Sequence, residues 1–422
     1  MKSKKFLLTE KVFLVYGSKR GALYDLHNGT VYSIDPSAKK LIELCEHGVD
    51  ITEIFTRNPD LNYLESIEYL DKLANLGLGK YLLRGERVDK IKLGGSFDYP
   101  SFVWLEVTGG CNLQCLQCYA NSDPSLINKD KMTPRDWKGV MTQIAGLGCG
   151  KIQFIGGEPF LLGNELISLI EYARDLKFSF IEVFTNATVL TDSLLDSLVR
   201  NRINVAFSFY SNDCDTYEKI TLRKGSYDKA VTNIRKMVQA GLEMRATVVG
   251  MKQNQDTIES TIKFLREQLG LLDVKTDFVR PSGRGCNIEL VSDKYIDSTY
   301  FQQASFSKCT EETFKERHTG HNCFMKEICI GPDGNVRPCI MERNISYGNI
   351  LESNLKEILR STAAKDIMRL SKDFIEICKD CEYRYACFDC RVKAKNTSED
   401  GNIFAKPIDC HYNPYTGQWN SH

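Results

Sequence analysis

Eleven of the 16 cysteines in this 422-residue chain lie in tight arrays with the spacing of metal ligands. The first array is the run Cys111, Cys115 and Cys118, with the pattern C-x3-C-x2-C. Three thiolates hold three irons of a 4Fe–4S cluster, and the fourth iron then keeps an open position for chemistry. A structural zinc knuckle is the alternative, but three cysteines with no nearby histidine leave zinc one ligand short.

Eight more cysteines follow beyond residue 320, enough for two four-cysteine clusters. They are Cys323, Cys329, Cys339, Cys378, Cys381, Cys387, Cys390 and Cys410. Two structural zinc ions are the alternative occupants. A disulfide framework is disfavoured because such frameworks suit short secreted chains. Among the five other cysteines, only Cys286 is a candidate for a substrate-facing or proton-donating role, and no other catalytic residue is identified.

The overall composition disfavours several classes of function. Lys plus Arg and Asp plus Glu both number 55, so charge gives no reason to expect nucleic acid or an anionic membrane as a partner. No histidine lies between residues 48 and 317, which argues against a Cys/His zinc enzyme or a histidine-based triad there. The N-terminus lacks the long apolar segment of a signal peptide, and no apolar run approaches a membrane span. We therefore expect a soluble, cytoplasmic protein.

Alternating strand and helix patterns predict the scaffold that positions the first array. Strands are expected at 102–107, 151–155, 180–185, 203–209, 244–250 and 273–279. Helices are expected at 134–146, 162–175, 191–199, 226–240 and 256–268. This alternation predicts an α/β fold, a partial (β/α)6 barrel with a parallel sheet. The chemistry of such barrels lies at the C-terminal ends of the strands, where the first array falls.

The first 95 residues predict a smaller unit of their own. Three strands are expected at 11–16, 23–26 and 30–34, and Asn28-Gly29 between the last two is a hairpin signal. A helix begins after Asp35-Pro36, and two more are expected at 51–57 and 61–76. Three strands followed by three helices predict a winged-helix-like module.

The first array, placed directly after the first barrel strand, resembles the radical S-adenosylmethionine (SAM) superfamily. In that family the open iron binds the amino and carboxylate groups of SAM, and reduction gives a 5′-deoxyadenosyl radical that abstracts hydrogen from the substrate. The turn that contacts SAM in this family is matched here by Gly156, Gly157, Glu158 and Pro159. The further SAM contacts that the resemblance implies are Asn186, Ser208 and Arg223. The segment 280–285 resembles peptide-modifying members of the family.

The second array resembles the SPASM domain, the auxiliary-cluster extension of many radical SAM maturases. By that resemblance, the first auxiliary cluster is held by Cys323, Cys329, Cys339 and Cys390. The second is held by Cys378, Cys381, Cys387 and Cys410. The cofactors implied are therefore three 4Fe–4S clusters and SAM. The expected domains are a recognition module (1–95), the barrel (96–310) and a cysteine-rich α+β SPASM domain (311–422).

Residues 1–95 resemble the peptide-recognition element of enzymes that mature ribosomally made peptides. In that family a disordered leader peptide adds a strand to the sheet, against the third strand and the last helix. The C-terminal segment also resembles peptide maturases of the grasp-with-SPASM kind. A winged-helix DNA binder is the alternative, but the neutral charge and the absence of a basic recognition helix argue against it.

These resemblances imply a radical SAM maturase that oxidatively modifies a precursor peptide by a thioether or carbon–carbon cross-link. Peptide epimerisation and formylglycine formation on a sulfatase are alternative reactions on the same fold. A non-catalytic iron–sulfur electron carrier is the alternative of another class, but it would need neither the GGEP turn nor a three-cysteine site. The expected partners are a precursor peptide, whose leader binds residues 1–95, and an electron donor such as a flavodoxin or ferredoxin.

Overall fold

The computed structural model describes residues 4–83, 85–94, 99–295 and 309–419. The strands in these ranges form four sheets, one of which has nine strands. The strands are β1 (Lys5–Leu8), β2 (Val12–Tyr16), β3 (Gly21–Asp25), β4 (Thr30–Ile34), β5 (Gly79–Leu82), β6 (Phe102–Thr108), β7 (Lys151–Gly156), β8 (Phe180–Thr185), β9 (Asn204–Phe209), β10 (Met244–Gly250), β11 (Asp273–Phe278), β12 (Glu327–Ile330), β13 (Asn335–Arg337), β14 (Gly348–Asn349), β15 (Tyr412–Asn413) and β16 (Gln418–Trp419).

Thirteen α-helices accompany these strands within the same described ranges. They are α1 (Pro36–Glu46), α2 (Ile51–Arg57), α3 (Tyr63–Asn75), α4 (Pro134–Gly146), α5 (Asn164–Asp175), α6 (Asp192–Arg200), α7 (Cys214–Thr221), α8 (Ser226–Gln239), α9 (Ile258–Lys263), α10 (Glu311–Thr319), α11 (Leu355–Arg360), α12 (Thr362–Met368) and α13 (Arg391–Thr397). None of the described helices is long and apolar enough to cross a membrane.

The N-terminal region contains the three predicted strands and the three predicted helices. Strands β2, β3 and β4 form an antiparallel sheet in that order. The β3–β4 hairpin turns at Gly29, whose φ is +78°, and Asn28 accepts a hydrogen bond from the Thr30 amide at 2.9 Å. A second antiparallel pair, β1 with β5, was not predicted. Each of its strands has only four residues, too few for a clear alternation. The winged-helix-like description stays a prediction.

The barrel follows the prediction closely. Strands β6 to β11 lie side by side in chain order, and every neighbouring pair is parallel. All six predicted strands and all five predicted helices are present, with ends within two residues of those expected. Helix α7 was missed because it follows β9 after a short loop and carries few apolar positions. The C-terminal part of the last predicted helix, Phe264–Gln268, is a π-helical turn.

The two faces of the barrel strands differ, as the period of two in a strand requires. Outward residues such as Ile152 and Phe154 of β7 pack in the main core with helix residues such as Ile144. Inward residues include charged side chains such as Glu106 of β6 and Glu182 of β8, both buried. The outer face of the barrel strands is therefore apolar, whereas the inner face carries buried charged residues beside apolar ones such as Ile155.

The C-terminal region was expected to be an α+β domain, but the sequence assigned no strand positions in it. Strand β12 pairs in parallel with β6 and extends the barrel sheet, followed by β13 and β14. This pairing places Cys329 opposite Trp104. The predicted boundary after residue 310 coincides with the start of α10, and the one after residue 95 lies outside the described residues. The three-domain division stays a prediction.

Candidate functional site

The first cysteine array lies on the loop after β6, at the C-terminal ends of the barrel strands. Burial raises the pKa of Cys115 to about 12, and the neighbouring Cys118 thiol adds to the rise. Burial, Glu158 and the other two thiols also raise the pKa of Cys111. A bound metal reverses this effect because a coordinating thiol is deprotonated. The three neighbouring thiols therefore fit the ligand set of a cluster with one open iron.

A close backbone contact joins the GGEP turn to the cysteine loop. The Gly157 amide donates to the Thr108 carbonyl at 2.7 Å, and the Glu158 amide donates to the Gly110 carbonyl at 2.9 Å. A Cβ at position 157 would lie 2.0 Å from the Gly110 carbonyl oxygen. Gly156 has a φ of +138°, which side-chain-bearing residues rarely adopt. The turn therefore needs both glycines to lie this close to the loop.

The carboxylate of Glu158 links the same turn to the end of β8. It accepts hydrogen bonds from the Thr185 hydroxyl and the Asn186 amide, both at 2.6 Å, and from the Phe160 amide at 3.0 Å. Pro159 follows and begins a short helical turn. Burial raises the pKa of Glu158 to about 7. Because three protein donors already occupy this fully buried carboxylate, the structure gives Glu158 a positioning role, and a direct contact with SAM stays a prediction.

Asn186 contacts the cysteine loop, and its contact with SAM stays a prediction. Its Nδ2 donates to Asn112 Oδ1 at 2.9 Å and lies 3.6 Å from Cys111 Sγ. Its Oδ1 accepts hydrogen bonds from the amide and the hydroxyl of Thr188, at 2.9 and 2.6 Å. The next residue, Ala187, has a φ of +59° and is buried. The Asn186 side chain is therefore held in one orientation against the loop.

Ser208 and Arg223 lie on neighbouring elements of the barrel, but the structure assigns neither of them a role at the cysteine loop. Ser208 is half-buried on the inner face of β9, in register with Thr247 of β10. Arg223 follows α7 and has an exposed side chain. The Leu116 amide of the cysteine loop donates to the Ile220 carbonyl at 3.0 Å, so the backbone near Arg223 is anchored beside the loop. Contacts of Ser208 and Arg223 with SAM stay predictions.

Arg284, within the segment 280–285, contacts the backbone of the cysteine loop, a role that the sequence did not assign to it. Its Nε donates to the Cys115 carbonyl at 2.9 Å, its Nη2 to the Ser122 carbonyl at 2.8 Å, and its amide to the Cys118 carbonyl at 3.0 Å. Hydrogen bonds from a guanidinium are stronger than neutral ones, so Arg284 fixes the outer side of the loop. No spacing rule marks it, because its partners are backbone carbonyls. Cys286, two residues later, is exposed, and its catalytic role stays a prediction.

The barrel interior contains two ion pairs, each with a buried carboxylate, that the sequence did not reveal. Glu106 accepts hydrogen bonds from Arg343 Nη1 at 2.7 and 2.8 Å. Glu182 accepts them from Arg245 Nε at 2.8 Å and Nη2 at 2.7 Å. Pairing offsets the cost of burying each carboxylate. The Glu106–Arg343 pair also ties the first barrel strand to the segment that follows Cys339.

The first predicted auxiliary set comes together around β12. Cys329 is fully buried and lies in one apolar cluster with Ile155 and Cys339. Burial raises the pKa of Cys339 to about 12, and Cys390 contributes. Burial, Glu327 and the thiols of Cys339 and Cys390 raise the pKa of Cys323. The four cysteines therefore approach one another although they are far apart in the sequence.

The second predicted auxiliary set lines a single pocket. The four thiols on its wall are Cys378, Cys381, Cys387 and Cys410. Burial raises the pKa of Cys378 to about 12, and the thiols of Cys387 and Cys410 contribute to the rise. Aromatic residues such as Tyr383 and Tyr412 form much of the remaining wall. Four thiols around one pocket match the donor set of a 4Fe–4S cluster.

Buried charges separate the two auxiliary sets. Asp389 lies between Cys387 and Cys390 in the sequence, accepts a hydrogen bond from Lys372 Nζ at 2.6 Å and pairs with Arg391. Burial opposes ionisation of Asp389, but Lys372 and Arg391 outweigh it and lower its pKa. This ion-pair cluster fixes the segment that supplies one cysteine to each auxiliary set.

Across the described residues, no three His, Cys, Asp or Glu side chains converge as closely as a single metal ion requires. The cysteine assignments therefore rest on the proximity of the thiols and on their spacing. They stay predictions for each individual ligand.

Comparison with protein families gives two matches. Residues 105–265 match the radical SAM superfamily, and residues 323–382 match the SPASM iron–sulfur cluster-binding domain. The first range contains the cysteine loop and the GGEP turn, and the second contains five of the eight later cysteines.

Two curated relatives and one solved structure are similar over most of the chain. The antilisterial bacteriocin subtilosin biosynthesis protein AlbA of Bacillus subtilis (strain 168) is 26% identical over 351 residues, which cover 78% of this chain and 77% of the relative. The AdoMet-dependent heme synthase of Methanosarcina barkeri (strain Fusaro / DSM 804) is 23% identical over 347 residues, covering 75% of this chain and 97% of the relative. The crystal structure of Streptococcus suis SuiB bound to precursor peptide SuiA has a TM-score of 0.59 at 15% identity and covers 96% of this chain and 99% of that chain. This last likeness shows that the fold is shared along nearly the whole chain.

Proposed function

Since the chain joins a radical SAM domain to a SPASM iron–sulfur domain, we propose that it is a radical SAM enzyme that oxidatively modifies a ribosomally made precursor peptide. The observation that carries this proposal is the contact of Gly157 with Gly110, which holds the GGEP turn against the three-thiol loop. A turn so placed presents backbone groups beside the open iron of a cluster on that loop, where SAM would bind.

The proposed cofactors are three 4Fe–4S clusters and SAM. A reduced cluster on the first loop supplies the electron that cleaves SAM, and the protein positions the reactants and excludes water. Arg284 and Asn186 keep the loop in place through the contacts described above. Tyr210 contributes through its hydroxyl, which lies 3.8 Å from Cys115 Sγ. A flavodoxin or ferredoxin is the proposed source of the electron.

The proposed substrate is a peptide whose leader binds the N-terminal sheet. The similarity to AlbA, a bacteriocin biosynthesis protein, supports this class of substrate. The sheet also offers an open edge, because β4 is its last strand and no other strand of the described residues pairs with the outer side of β4. The opposite edge is covered, since Lys90 Nζ donates to the Val12 carbonyl at 2.7 Å and the Ile91 amide to the Glu10 carbonyl at 3.1 Å. An extended leader would therefore add beside β4.

The proposed reaction is a thioether or carbon–carbon cross-link within the peptide. With SAM and the clusters bound, a peptide C–H bond would lose one hydrogen atom to the SAM-derived radical, and the partner thiol or aromatic ring would lose one proton as the new bond forms. An auxiliary cluster would take up the remaining electron, so the peptide would lose two hydrogens in all.

Mass spectrometry of a short peptide encoded beside this gene, co-expressed with the enzyme at low oxygen, tests the proposal. We expect a loss of two hydrogens that a Cys115→Ala control does not produce. Fragmentation then locates the bond. An unchanged mass with inverted stereochemistry would support epimerisation instead, and an enzyme that binds zinc and does not cleave SAM would contradict radical chemistry.

A second measurement tests the leader site. Tyr32 is exposed on β4, and replacing it with lysine places a charge on the open edge. We expect Tyr32→Lys to weaken binding of a labelled leader peptide in fluorescence anisotropy. Tyr16→Lys is the matched control, because Tyr16 is exposed on β2 at the other side of the sheet. Equal affinities for both variants and the wild type would contradict binding at β4.

A further inference from the structure

The N-terminal sheet packs directly against the second auxiliary site. Val15 of β2 and Tyr24 of β3 are buried in one apolar cluster with Tyr385 of the C-terminal region. Cys381 and Cys410, two of the four thiols in the pocket, pack against the same cluster. The N-terminal sheet therefore packs behind two of the four thiols, while the lining of the pocket itself comes from residues 372–419.

Tyr24 makes the central polar contact in this interface. Its hydroxyl donates to the Glu382 carbonyl at 2.9 Å and accepts a hydrogen bond from the Ala386 amide at 3.2 Å. Both partners lie between Cys381 and Cys387 in the sequence. The ring is fully buried, so no water replaces these bonds if the hydroxyl is removed. One phenol thus connects the two ends of the segment that joins two ligands.

The turn between β2 and β3 adds contacts on the same side. Its hydrogen bonds join Ser18 N to Asp380 O (2.7 Å), Lys19 N to Pro414 O (3.0 Å) and Arg384 Nη1 to Tyr16 O (2.7 Å). Gly17 lies so close to Glu382 that a Cβ would be 2.2 Å from Glu382 Oε2. These contacts hold the residues around Cys378, Cys381 and Cys410 from outside.

We propose that the N-terminal sheet is a structural part of the second auxiliary cluster site, with Tyr24 as a positioning residue for the Cys381–Cys387 segment. This inference rests on the proposed function, because it takes these cysteines as cluster ligands. Residues 382–386 form turns without a regular element. Their geometry therefore depends on the groups packed around them, as is general for the surroundings of metal ligands.

The same contacts connect the open edge of the sheet to the pocket. Val31 of β4 is buried in the same apolar cluster as Tyr383. The Tyr383 amide lies 3.4 Å from Cys381 Sγ. A leader strand beside β4 therefore acts on a segment that contacts a cluster ligand. Because equilibrium coupling is reciprocal, assembly of the second cluster would change leader affinity by the same factor by which the leader changes the affinity of the site for the cluster.

The test compares Tyr24→Phe with Tyr81→Phe in the full-length, anaerobically reconstituted protein. Tyr81 is a matched control because its hydroxyl bonds Asp71 within the N-terminal region, at 2.7 Å. We expect Tyr24→Phe to release about four of twelve irons to a chelator on the order of tenfold faster than the wild type, since it removes the hydrogen bond to the Glu382 carbonyl and leaves the Ala386 amide only its bond to the Tyr383 carbonyl. The electron paramagnetic resonance signal of the second auxiliary cluster should change, while the signal of the first cluster and all properties of Tyr81→Phe stay as in the wild type.

Wild-type iron release and an unchanged signal in Tyr24→Phe would overturn the inference. If Tyr24→Phe does not fold, Gly17→Ala replaces it, because the added methyl group displaces Glu382. A wild-type protein with zinc and little sulfide at this pocket would overturn the proposed function as well. Three intact clusters together with an insensitive Tyr24→Phe would overturn only the inference drawn here.

Discussion

The loop of Cys111, Cys115 and Cys118 and the pocket of Cys378, Cys381, Cys387 and Cys410 are held in place in different ways. The loop is short, and its supports are the ends of neighbouring barrel strands and the segment after β11. The pocket takes its supports from the N-terminal sheet, from Lys372 and from the segment around Pro414. The contacts that support the first site therefore all come from the barrel. The contacts that support the second site come from parts of the chain that are far apart in the sequence.

The physical nature of the contacts differs as well. The loop is held by backbone hydrogen bonds and by glycines that leave no room for a side chain, as at Gly157. The auxiliary region is held by buried ion pairs, among them Lys372 with Asp389 and Lys395 with Glu342. The loop is therefore sensitive to added volume, and the auxiliary region is sensitive to a charge left without its partner.

The largest effect separates the chemical roles of the two sites. We expect both Cys115→Ala and Cys381→Ala to lose about four of twelve irons per chain, because each removes a ligand of one cluster. Cys115→Ala should form no 5′-deoxyadenosine. Cys381→Ala should retain SAM cleavage and lose the modified peptide. Iron analysis and chromatography of the nucleoside measure both outcomes, and loss of SAM cleavage in Cys381→Ala would show that the sites do not act separately.

The next effect tests the buried charges. Asp389→Asn leaves Lys372 and Arg391 without their carboxylate partner. Breaking a buried ion pair on one side costs about 3–5 kcal/mol. We expect the urea midpoint for loss of the iron–sulfur absorbance to fall accordingly in the reconstituted protein.

The control for this variant is Asp60→Asn, which removes the partner of Lys40 in an exposed pair. Its midpoint should equal that of the wild type, because ion pairs in water contribute little to stability. Equal midpoints for both variants would mean that Asp389 is solvated in solution. The auxiliary region would then not be stabilised by buried ion pairs.

The first site was predictable because its signals are local in the sequence. The spacing of Cys111, Cys115 and Cys118 and the glycine pair at 156–157 lie directly after strands whose alternation is clear. The barrel follows from the same pattern, since each strand and helix has its own apolar period. For this reason the predicted strand and helix ends differ from those found by at most two residues, except that α9 changes to a π-helical turn after Lys263.

The supports of both sites were not predictable, because their partners are distant and carry no spacing signal. Arg284 bonds backbone carbonyls, which every residue has. Tyr24 reads as an ordinary strand residue, yet its hydroxyl contacts the backbone at Glu382 and Ala386. Strand β12 has only four residues and gains its order from pairing with β6. The contacts of Arg284 and Tyr24 and the formation of β12 all depend on tertiary pairing, which a single sequence does not reveal.

A smaller effect tests the support that Arg284 gives to the loop. Arg284→Ala removes the hydrogen bonds to the carbonyls of Cys115 and Ser122. Hydrogen bonds to a charged group contribute about 1.5–3 kcal/mol each. We expect the first cluster to lose its iron to a chelator faster while the auxiliary clusters keep theirs, which electron paramagnetic resonance of each cluster measures. Arg284→Lys should recover part of the effect, because an ammonium keeps the charge but not the planar fork. Uniform iron loss from all clusters would contradict a local role.

The smallest effect compares two glycines in the barrel domain. Gly157→Ala forces a methyl group against the Gly110 carbonyl at 2.0 Å, so the loop or the turn must shift. Overpacking of this kind costs about 1–3 kcal/mol. Gly139→Ala is the matched change, because no atom lies within 4 Å of the added Cβ and the position is inside α4. Alanine favours a helix over glycine by about 1 kcal/mol, so Gly139→Ala should be neutral or stabilising.

Isothermal titration with SAM should show weaker binding only for Gly157→Ala, since only this variant moves the turn beside the three thiols. Equal SAM affinities for the two variants would mean that the turn accommodates the methyl group. The first loop would then not be sensitive to added side-chain volume.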